Sequence, residues 1–327
     1  MDSPIQRYLE DAIAAEKSFE TQLTGFADEA SLPQARELFE RHADETRMQY
    51  QQLTTRLEAL GGSVSSAKSF LAHLFNMSPK MAQLGHEAQE RTTQDLIMAF
   101  AVENAEVAMY EALSIAAESA GDSETANLAR RIQAEEQATA EKIWPFISTA
   151  AQDGLTAATA KEGVQQTVIR YLQDVEAAER NFEDALASFS KSGDRREVQS
   201  LMSMMSDKAR TQHERLYARL QALGGDRSAG KSLLAHLLAF TPVTAQMGHS
   251  ESEKSTQHLM ITYAAAAAEM GMYEALATAA RLTEDSETEQ LARQLQREEK
   301  EDHILAWRAL PETARAASEL VLSKMDK

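Results

Sequence analysis

The sequence predicts an all-α protein made of two tandem four-helix bundles, and three observations support this fold class. Alanine, leucine and glutamate are abundant, whereas the 327 residues include only 13 glycines and 6 prolines, a composition that favours helices. Apolar residues recur every three or four positions over long segments, which is the period of one helical face. The chain also repeats itself at a constant offset, and its length is typical of about two domains.

The repeat covers nearly the whole chain. The segment YLEDAIAAEKSFE, which starts at Tyr8, returns 163 residues later as YLQDVEAAERNFE from Tyr171. The segment AMYEAL, which ends at Leu113, returns at the same offset as GMYEAL, which ends at Leu276. A constant offset indicates two copies of one domain with no net insertion between them.

Composition and helix breakers set the predicted limits of the two domains. The stretch 148–163 is rich in alanine and threonine, and Pro145 and Gly154 are typical breakers near and within it. We therefore predict one domain over residues 1–148 and a second over residues 164–327.

Four long helices are predicted in the first copy, over residues 4–28, 33–60, 87–120 and 122–144. Gly61-Gly62 is a typical stop for the second helix, and Asp122 or Ser123 is a typical N-cap for the fourth. About 25 residues separate the second helix from the third, whereas the other connections are short. Antiparallel helices with one long crossover in the middle are the topology of ferritin-like bundles. The second copy repeats this pattern over residues 166–191, 195–223, 250–282 and 285–308, with a short tail helix after Pro311.

Charge and composition exclude several classes of function. A formal net charge of -18 argues against a nucleic-acid partner, because phosphate binding needs a basic surface. The absence of cysteine excludes disulfides, thiolate catalysis and iron–sulfur clusters. The start of the sequence has no signal-peptide pattern, and no run of about 20 apolar residues occurs. We therefore expect a cytoplasmic protein with no membrane partner.

The middle of the third helix carries carboxylates where a helix buried in a core has apolar side chains. Glu103 and Glu106 lie within one stripe formed by Leu96, Phe100, Val107, Tyr110 and Ile115. Residues three apart on a helix have Cβ atoms about 5–6 Å from each other. Two like charges at that distance in a core are unfavourable unless a cation or a proton lies between them.

The other helices of the first copy also place glutamates on their apolar stripes. These are Glu16 on the first helix, Glu45 on the second, and Glu135 with its neighbour Glu136 on the fourth. Because antiparallel bundles bring the middles of their helices together, we expect these glutamates to meet Glu103 and Glu106. That arrangement is typical of a dinuclear carboxylate site for two iron or manganese ions. The alternative is that these glutamates are solvated surface acids.

The motifs AAEKSFE, HADETRMQY, ENAEVAMYEAL and QAEEQAT resemble the ferritin-like superfamily, most closely its YciE/YciF-type bacterial branch of stress-associated proteins. The resemblance covers nearly all of both copies. It implies that Glu16, Glu45, Glu103, Glu106 and Glu135 or Glu136 are metal ligands, and that the protein acts in a stress-protective setting.

The chain departs from the rubrerythrin and bacterioferritin pattern within this superfamily. Those proteins place a histidine three residues after the glutamates of the second and fourth helices. The present chain has Met48 and Ala138 at those positions, and His42 is the one imidazole near the site. An all-oxygen site, or one aided by His42, suits manganese, iron or magnesium.

The second copy keeps only part of the glutamate set. Glu16, Glu106 and the Glu135-Glu136 pair correspond to Glu179, Glu269 and Glu298-Glu299. Glu45 is replaced by Lys208 and Glu103 by Ala266. We expect a degenerate site in this copy, with Lys208 paired to Glu179 or Glu269, although His303 near Glu299 leaves a mononuclear site open.

Several other residues are predicted to have structural roles. Tyr110, Tyr273, Trp144 and Trp307 are assigned to the core and the bundle ends, with a redox role for Tyr110 as an alternative. The paired histidines His73/His236 and His86/His249 are assigned to packing or capping, with metal ligation as an alternative. The apolar segment 70–77 is expected to lie across the bundle or between the copies.

We expect the first copy to bind metal, with any chemistry being metal oxidation or the reduction of oxygen or peroxide. The sequence leaves open whether the protein is an enzyme, and it assigns no catalytic residue. The alternative is a non-enzymatic helical scaffold whose metal sites have decayed. The two copies are expected to pack as an intramolecular pseudo-dimer, with homo-oligomers of the chain left open.

Overall fold

A computed structural model describes residues 4–64, 88–227 and 253–325 of the chain. Within these ranges the protein forms eight helices and no strand, which confirms the all-α class. The helices are α1 (Pro4–Glu29), α2 (Pro33–Ala59), α3 (Ala88–Ser119), α4 (Ser123–Glu162), α5 (Val164–Phe189), α6 (Arg196–Ala222), α7 (Lys254–Leu282) and α8 (Ser286–Met325).

The helices pack in pairs that form two similar halves. In the first half α1 pairs with α2 and α3 with α4, and in the second half α5 pairs with α6 and α7 with α8. The two halves contact each other mainly through α3 and α7. Corresponding helices in the two halves occupy corresponding stretches of the repeated sequence.

Backbone caps fix the helix ends where the sequence predicts them. After α2, Gly61 has a positive φ of 77°, and the N–H groups of Gly61 and Gly62 donate to the carbonyls of Glu58 and Leu57. This pattern is a Schellman motif, which requires a left-handed residue. At the start of α4, Asp122 accepts a hydrogen bond of 3.0 Å from the Thr125 N–H, so the predicted N-cap is confirmed.

The predicted end of the fourth helix at residue 144 is wrong, because α4 continues to Glu162. Buried apolar side chains recur beyond Pro145 at helical spacing, namely Ile147, Ala150, Ala151, Leu155 and Ala158. Their burial offsets the backbone hydrogen bond that the proline removes.

Gly154 serves as a close-packing site within α4. A Cβ at that position would lie 3.0 Å from the Cα of Glu90, so a larger residue would push the backbones of α3 and α4 apart. Helix α8 likewise continues through Pro311 to Met325, and the separate tail helix expected there is not formed.

Helices α3 and α7 are buried around almost their whole circumference, since each is packed between its own half and the other half. This explains the alanine-rich segment of α7, where only small side chains let neighbouring helices approach. A Cβ on Gly271 would lie 3.2 Å from Ile97 on α3. Tyr110 and Tyr273 are fully buried, as expected of core residues.

Two equivalent polar contacts join the halves. Arg7 on α1 donates to Glu253, just before α7, across 2.8 Å, and Tyr8 also hydrogen-bonds that carboxylate. Arg170 on α5 donates to Glu90 on α3 across 2.8 Å. Each half therefore supplies the arginine of one contact and the glutamate of the other.

Some predictions fall outside the described residues. These are the long crossover, the apolar segment 70–77 and the histidines His73, His86, His236 and His249. The domain limits at residues 148 and 164 stay a prediction. No helix among the described residues combines the length and apolarity needed to cross a membrane.

Candidate metal centre

Four helices of the first half each direct an acidic or imidazole side chain into one buried cluster. Its members are Glu16 on α1, His42 on α2, Glu103 and Glu106 on α3, and Glu136 on α4, and each is at most 2% exposed. Ligand atoms of His42, Glu103 and Glu136 lie within 4.8 Å of one another. The helical spacing correctly predicts the inward direction of Glu16, Glu103 and Glu106.

His42 connects the cluster to the surface. Its Nε2 lies 2.5 Å from Glu103 Oε1, and its Nδ1 lies 3.5 Å from Glu45 Oε2. Burial alone lowers the pKa of His42, but the charge of Glu103 and the hydrogen bond to it outweigh burial and raise that pKa to about 9. Without a bound cation, His42 is therefore an imidazolium that neutralises Glu103.

Tyr110 binds Glu16 at the opposite side of the cluster. The phenol donates a short hydrogen bond to Glu16 Oε1. Burial raises the pKa of Glu16 to about 8, although the hydrogen bond from Tyr110 acts in the other direction. Glu16 thus holds a proton at neutral pH when no cation is present.

The carboxyl groups of Glu106 and Glu136 lack hydrogen-bond donors. Among the described residues, no N–H group or hydroxyl reaches either oxygen of Glu106 or of Glu136. Burial, followed by the charges of neighbouring carboxylates, raises the pKa of both groups well above the usual value. Buried carboxyl oxygens without donors are costly unless a proton or a cation satisfies them.

Two predicted site residues lie at the edge of the cluster. The predicted inward direction of Glu135 is wrong: Glu135 is exposed and accepts a hydrogen bond of 3.2 Å from Gln49, while its neighbour Glu136 points inward. Glu45 is partly exposed and reaches the cluster only through His42.

His42 is the member of the cluster that the glutamate pattern did not select. The signal for it is its place on the α2 stripe with Gln49, Leu53 and Leu57, all of which are buried. The imidazole lies one turn before Glu45, whereas the glutamate pattern predicts Glu45 as the ligand from this helix.

The donor set fits a divalent transition metal. Carboxylate oxygens and one imidazole suit iron and manganese, and the buried oxygens without donors are positioned to take a cation. The residues present would hold it through Glu103, Glu106, Glu136, Glu16 and the Nε2 of His42.

The second half contains a related cluster. Glu179 on α5, Glu269 on α7 and Glu299 on α8 are fully buried, with ligand atoms within 4.8 Å of one another. Tyr273 donates to Glu179 across 2.5 Å, as Tyr110 does to Glu16.

Lys208 does not pair with Glu179 or Glu269, contrary to expectation. Its Nζ binds Asp302 at 2.9 Å and the carbonyl oxygen of Glu298 at 2.5 Å. His303 is also directed elsewhere, since its Nδ1 lies 3.0 Å from the Tyr263 carbonyl and its ring stacks on that of Tyr263. Asp302 is a further buried acid in this region, and the predicted glutamate set does not include it.

Comparisons with known proteins assign a family and no activity. A model of the family described as "Domain of unknown function (DUF892)" matches residues 6–156 and again residues 164–317. No curated protein and no solved structure matches the chain. The double match agrees with the tandem repeat seen in the sequence and in the helix pairs. The chain belongs to the DUF892 family and carries two copies of its domain.

Proposed function

We propose that the first half is a metal-binding, ferritin-like four-helix bundle that holds two iron or manganese ions. The ligands would be Glu16, Glu103, Glu106, Glu136 and His42, with Glu45 as an outer partner of His42. The sequence motifs of the ferritin-like superfamily and the all-helical fold support this assignment. The pseudo-dimeric packing of the two halves belongs to the same proposal.

One observation carries the proposal: the buried carboxyl groups of Glu106 and Glu136 have no N–H or hydroxyl donor among the described residues, and Glu136 has only the carboxyl of Glu103 as a hydrogen-bond partner. Burying a neutral carboxyl group without a hydrogen-bond partner costs on the order of several kcal/mol of stability, and burying the ionised carboxylate costs more. Ligand atoms of His42, Glu103 and Glu136 lie within 4.8 Å of one another, and the buried carboxyls of Glu16 and Glu106 are close enough to interact with Glu103 and with each other. A cation there would satisfy all of them together.

Bound iron or manganese would supply redox chemistry, namely metal oxidation or the reduction of oxygen or peroxide, in a stress-protective setting. The chain's own residues would orient the ligands and control proton access. The Tyr110 hydroxyl holds Glu16 in place, and the edge pair Glu45–His42 keeps Glu103 directed inward. The remaining walls are apolar side chains of the core, which exclude water.

Elemental analysis of two adjacent variants tests the proposal. Glu136→Gln keeps the shape of the buried side chain but removes its charge, so it should lose most of the iron or manganese held by the unaltered protein. Glu135→Gln is the matched control, because Glu135 is the exposed neighbour, and it should retain the metal. Equal metal content in Glu136→Gln and the unaltered protein would overturn the proposal.

A non-enzymatic helical scaffold is the second candidate. The observation that favours it is the contact between His42 and Glu103, which neutralises one carboxylate without a metal. In a scaffold the other carboxyls would simply stay protonated. A protein that holds no metal after purification without chelator, and whose melting temperature does not rise with added Mn²⁺ or Fe²⁺, would establish this alternative.

A further inference from the structure

We propose that the second half holds a separate site for a single hard divalent cation, such as Mn²⁺ or Mg²⁺, formed by Glu179, Glu269 and Glu299. The proposal does not rest on a metal in the first half. Residues that differ between the two halves, and carboxylate oxygens of the second cluster without N–H or hydroxyl donors, support it.

Only some of the carboxylate oxygens in the second cluster accept a hydrogen bond. Tyr273 donates to one oxygen of Glu179, and Gln212 donates across 2.8 Å to one oxygen of Glu299. The remaining oxygen of each, and both oxygens of Glu269, are buried without an N–H or hydroxyl donor among the described residues, and Glu269 has only the carboxyl of Glu299 beside it as a hydrogen-bond partner. Glu269 is 0% exposed, so solvent does not supply the missing donors.

The spacing of the three carboxylates is close to that needed to bind one cation. One oxygen from each of the three carboxylates lies within 4.8 Å of the others. A Mg²⁺ ion with bonds of about 2.1 Å places opposite ligand oxygens about 4.2 Å apart. Small side-chain movements would therefore bring all three carboxylates onto one ion. The buried Oε1 of Gln212, which also lacks a donor, is an additional neutral oxygen beside Glu299.

The second cluster has enough free carboxylates for one cation only. Ala266 replaces Glu103, so α7 offers one carboxylate where α3 offers two. Asp302, one turn after Glu299, is buried but already bound to the Lys208 ammonium at 2.9 Å. Because the Lys208 ammonium occupies Asp302, that carboxylate is not free to bind a second metal ion.

The second cluster lacks an imidazole, and this determines which metals it favours. In the second half Met205 stands where the first half has His42, and His303 is engaged by the Tyr263 carbonyl. The donors are therefore all oxygen atoms. Oxygen-only sites favour hard cations, whereas an imidazole shifts the preference toward iron and other transition metals.

The test uses Mn²⁺ alone as the probe. In a background variant, Glu103→Ala, Glu106→Gln and Glu136→Gln together leave only Glu16 and His42 of the first-half cluster. This variant should still bind about one Mn²⁺ per chain, and its electron paramagnetic resonance spectrum should be that of an uncoupled ion. Adding Glu269→Gln should abolish the binding, whereas adding Glu301→Gln, an exposed acid on the same helix as Glu299, should not.

Two results would overturn the proposal: no Mn²⁺ in the background variant, or unchanged binding after Glu269→Gln. If the combined variant does not fold by circular dichroism, Glu269→Gln is made alone in the unaltered chain. It should then lower the Mn²⁺ content by about one ion, and an unchanged content would reject the site. Failure of the first-half proposal would leave this result unaffected, since the background variant keeps only Glu16 and His42 of the first-half cluster.

Discussion

Arg170 on α5 and Glu90 on α3 form an ion pair between the two halves, with 2.8 Å between Nη2 and Oε1 and the carboxylate 1% exposed. Arg7 and Glu253 form the equivalent pair with the roles of the halves exchanged. Charge pairs that are this well buried are sensitive to the loss of one partner, because the other charge stays desolvated.

We expect Glu90→Gln to lower the free energy of unfolding by about 2–3 kcal/mol, since Arg170 loses its buried partner. Chemical denaturation monitored by circular dichroism measures the change. Glu312→Gln is the control, because the Arg195–Glu312 pair is exposed and its atoms are 3.4 Å apart. A Glu90→Gln protein as stable as this control would show that the pair does not hold the halves together.

Glu106→Gln should have opposite effects on the metal-free and the metal-loaded protein. In the metal-free protein it removes a buried ionisable carboxyl without donors, so the melting temperature should rise. In the manganese-loaded protein it removes a ligand, so the stabilisation by metal should shrink. Scanning calorimetry with chelator and with Mn²⁺ measures both effects. A stabilisation by Mn²⁺ as large in the variant as in the unaltered protein would argue against a metal ligand at Glu106.

The stability of the metal-free protein should fall as the pH rises from about 4.5 to about 9. The pKa of Glu16 is raised from 4.5 to about 8 by burial, and that of His42 is raised from 6.5 to about 9 by Glu103. The folded state therefore binds more protons than the unfolded state in this window, and stability decreases with pH. Melting temperatures in chelator at several pH values test the sign.

The same protons should appear in solution when metal binds, because a cation displaces them from the carboxyl groups. Addition of Mn²⁺ to weakly buffered metal-free protein should therefore acidify the solution. Glu136→Gln serves as the control and should release few protons. Metal uptake without acidification would mean that the buried carboxyls are already ionised.

Glu284→Gly should stabilise the protein by roughly 0.5–1 kcal/mol. Glu284 has a positive φ of 58°, whereas Gly121 at the equivalent position of the first half has 76°. A side chain in this left-handed conformation costs about 1–2 kcal/mol, partly offset by the entropy that glycine loses on folding. Gly121→Glu is the matched reverse change and should destabilise, as measured by thermal unfolding. Stabilisation by both changes would refute the argument.

Much of the fold follows from local patterns in the sequence. Glycines that adopt positive φ and an aspartate cap fix helix ends, so Gly61 and Asp122 identify them without tertiary information. The length of α4 does not follow from such patterns. Its continuation past Pro145 depends on the burial of Ile147 and Leu155 against other helices, which no local pattern contains.

The site is predicted by spacing only where one glutamate stands on the stripe. Glu16, Glu103 and Glu106 satisfy this condition and are buried. Glu135 and Glu136 are neighbours about 100° apart around the helix, so a small error in phase exchanges their directions. Lys208 could not be placed because a long flexible side chain can carry its charge away from its helix position, here to Asp302.

The single residue Gly163 between α4 and α5 has a consequence for how the protein can be divided. With a one-residue joint, the 40-residue α4 leads directly into the second half. A fragment that ends at residue 148 would truncate α4 before Ala150, Ala151 and Leu155 and would expose the apolar surface they cover. Even a fragment that ends at Glu162 would uncover the face of α3 that packs on α7. Each half therefore covers apolar surface of the other, and we expect that neither half folds stably as a separate fragment.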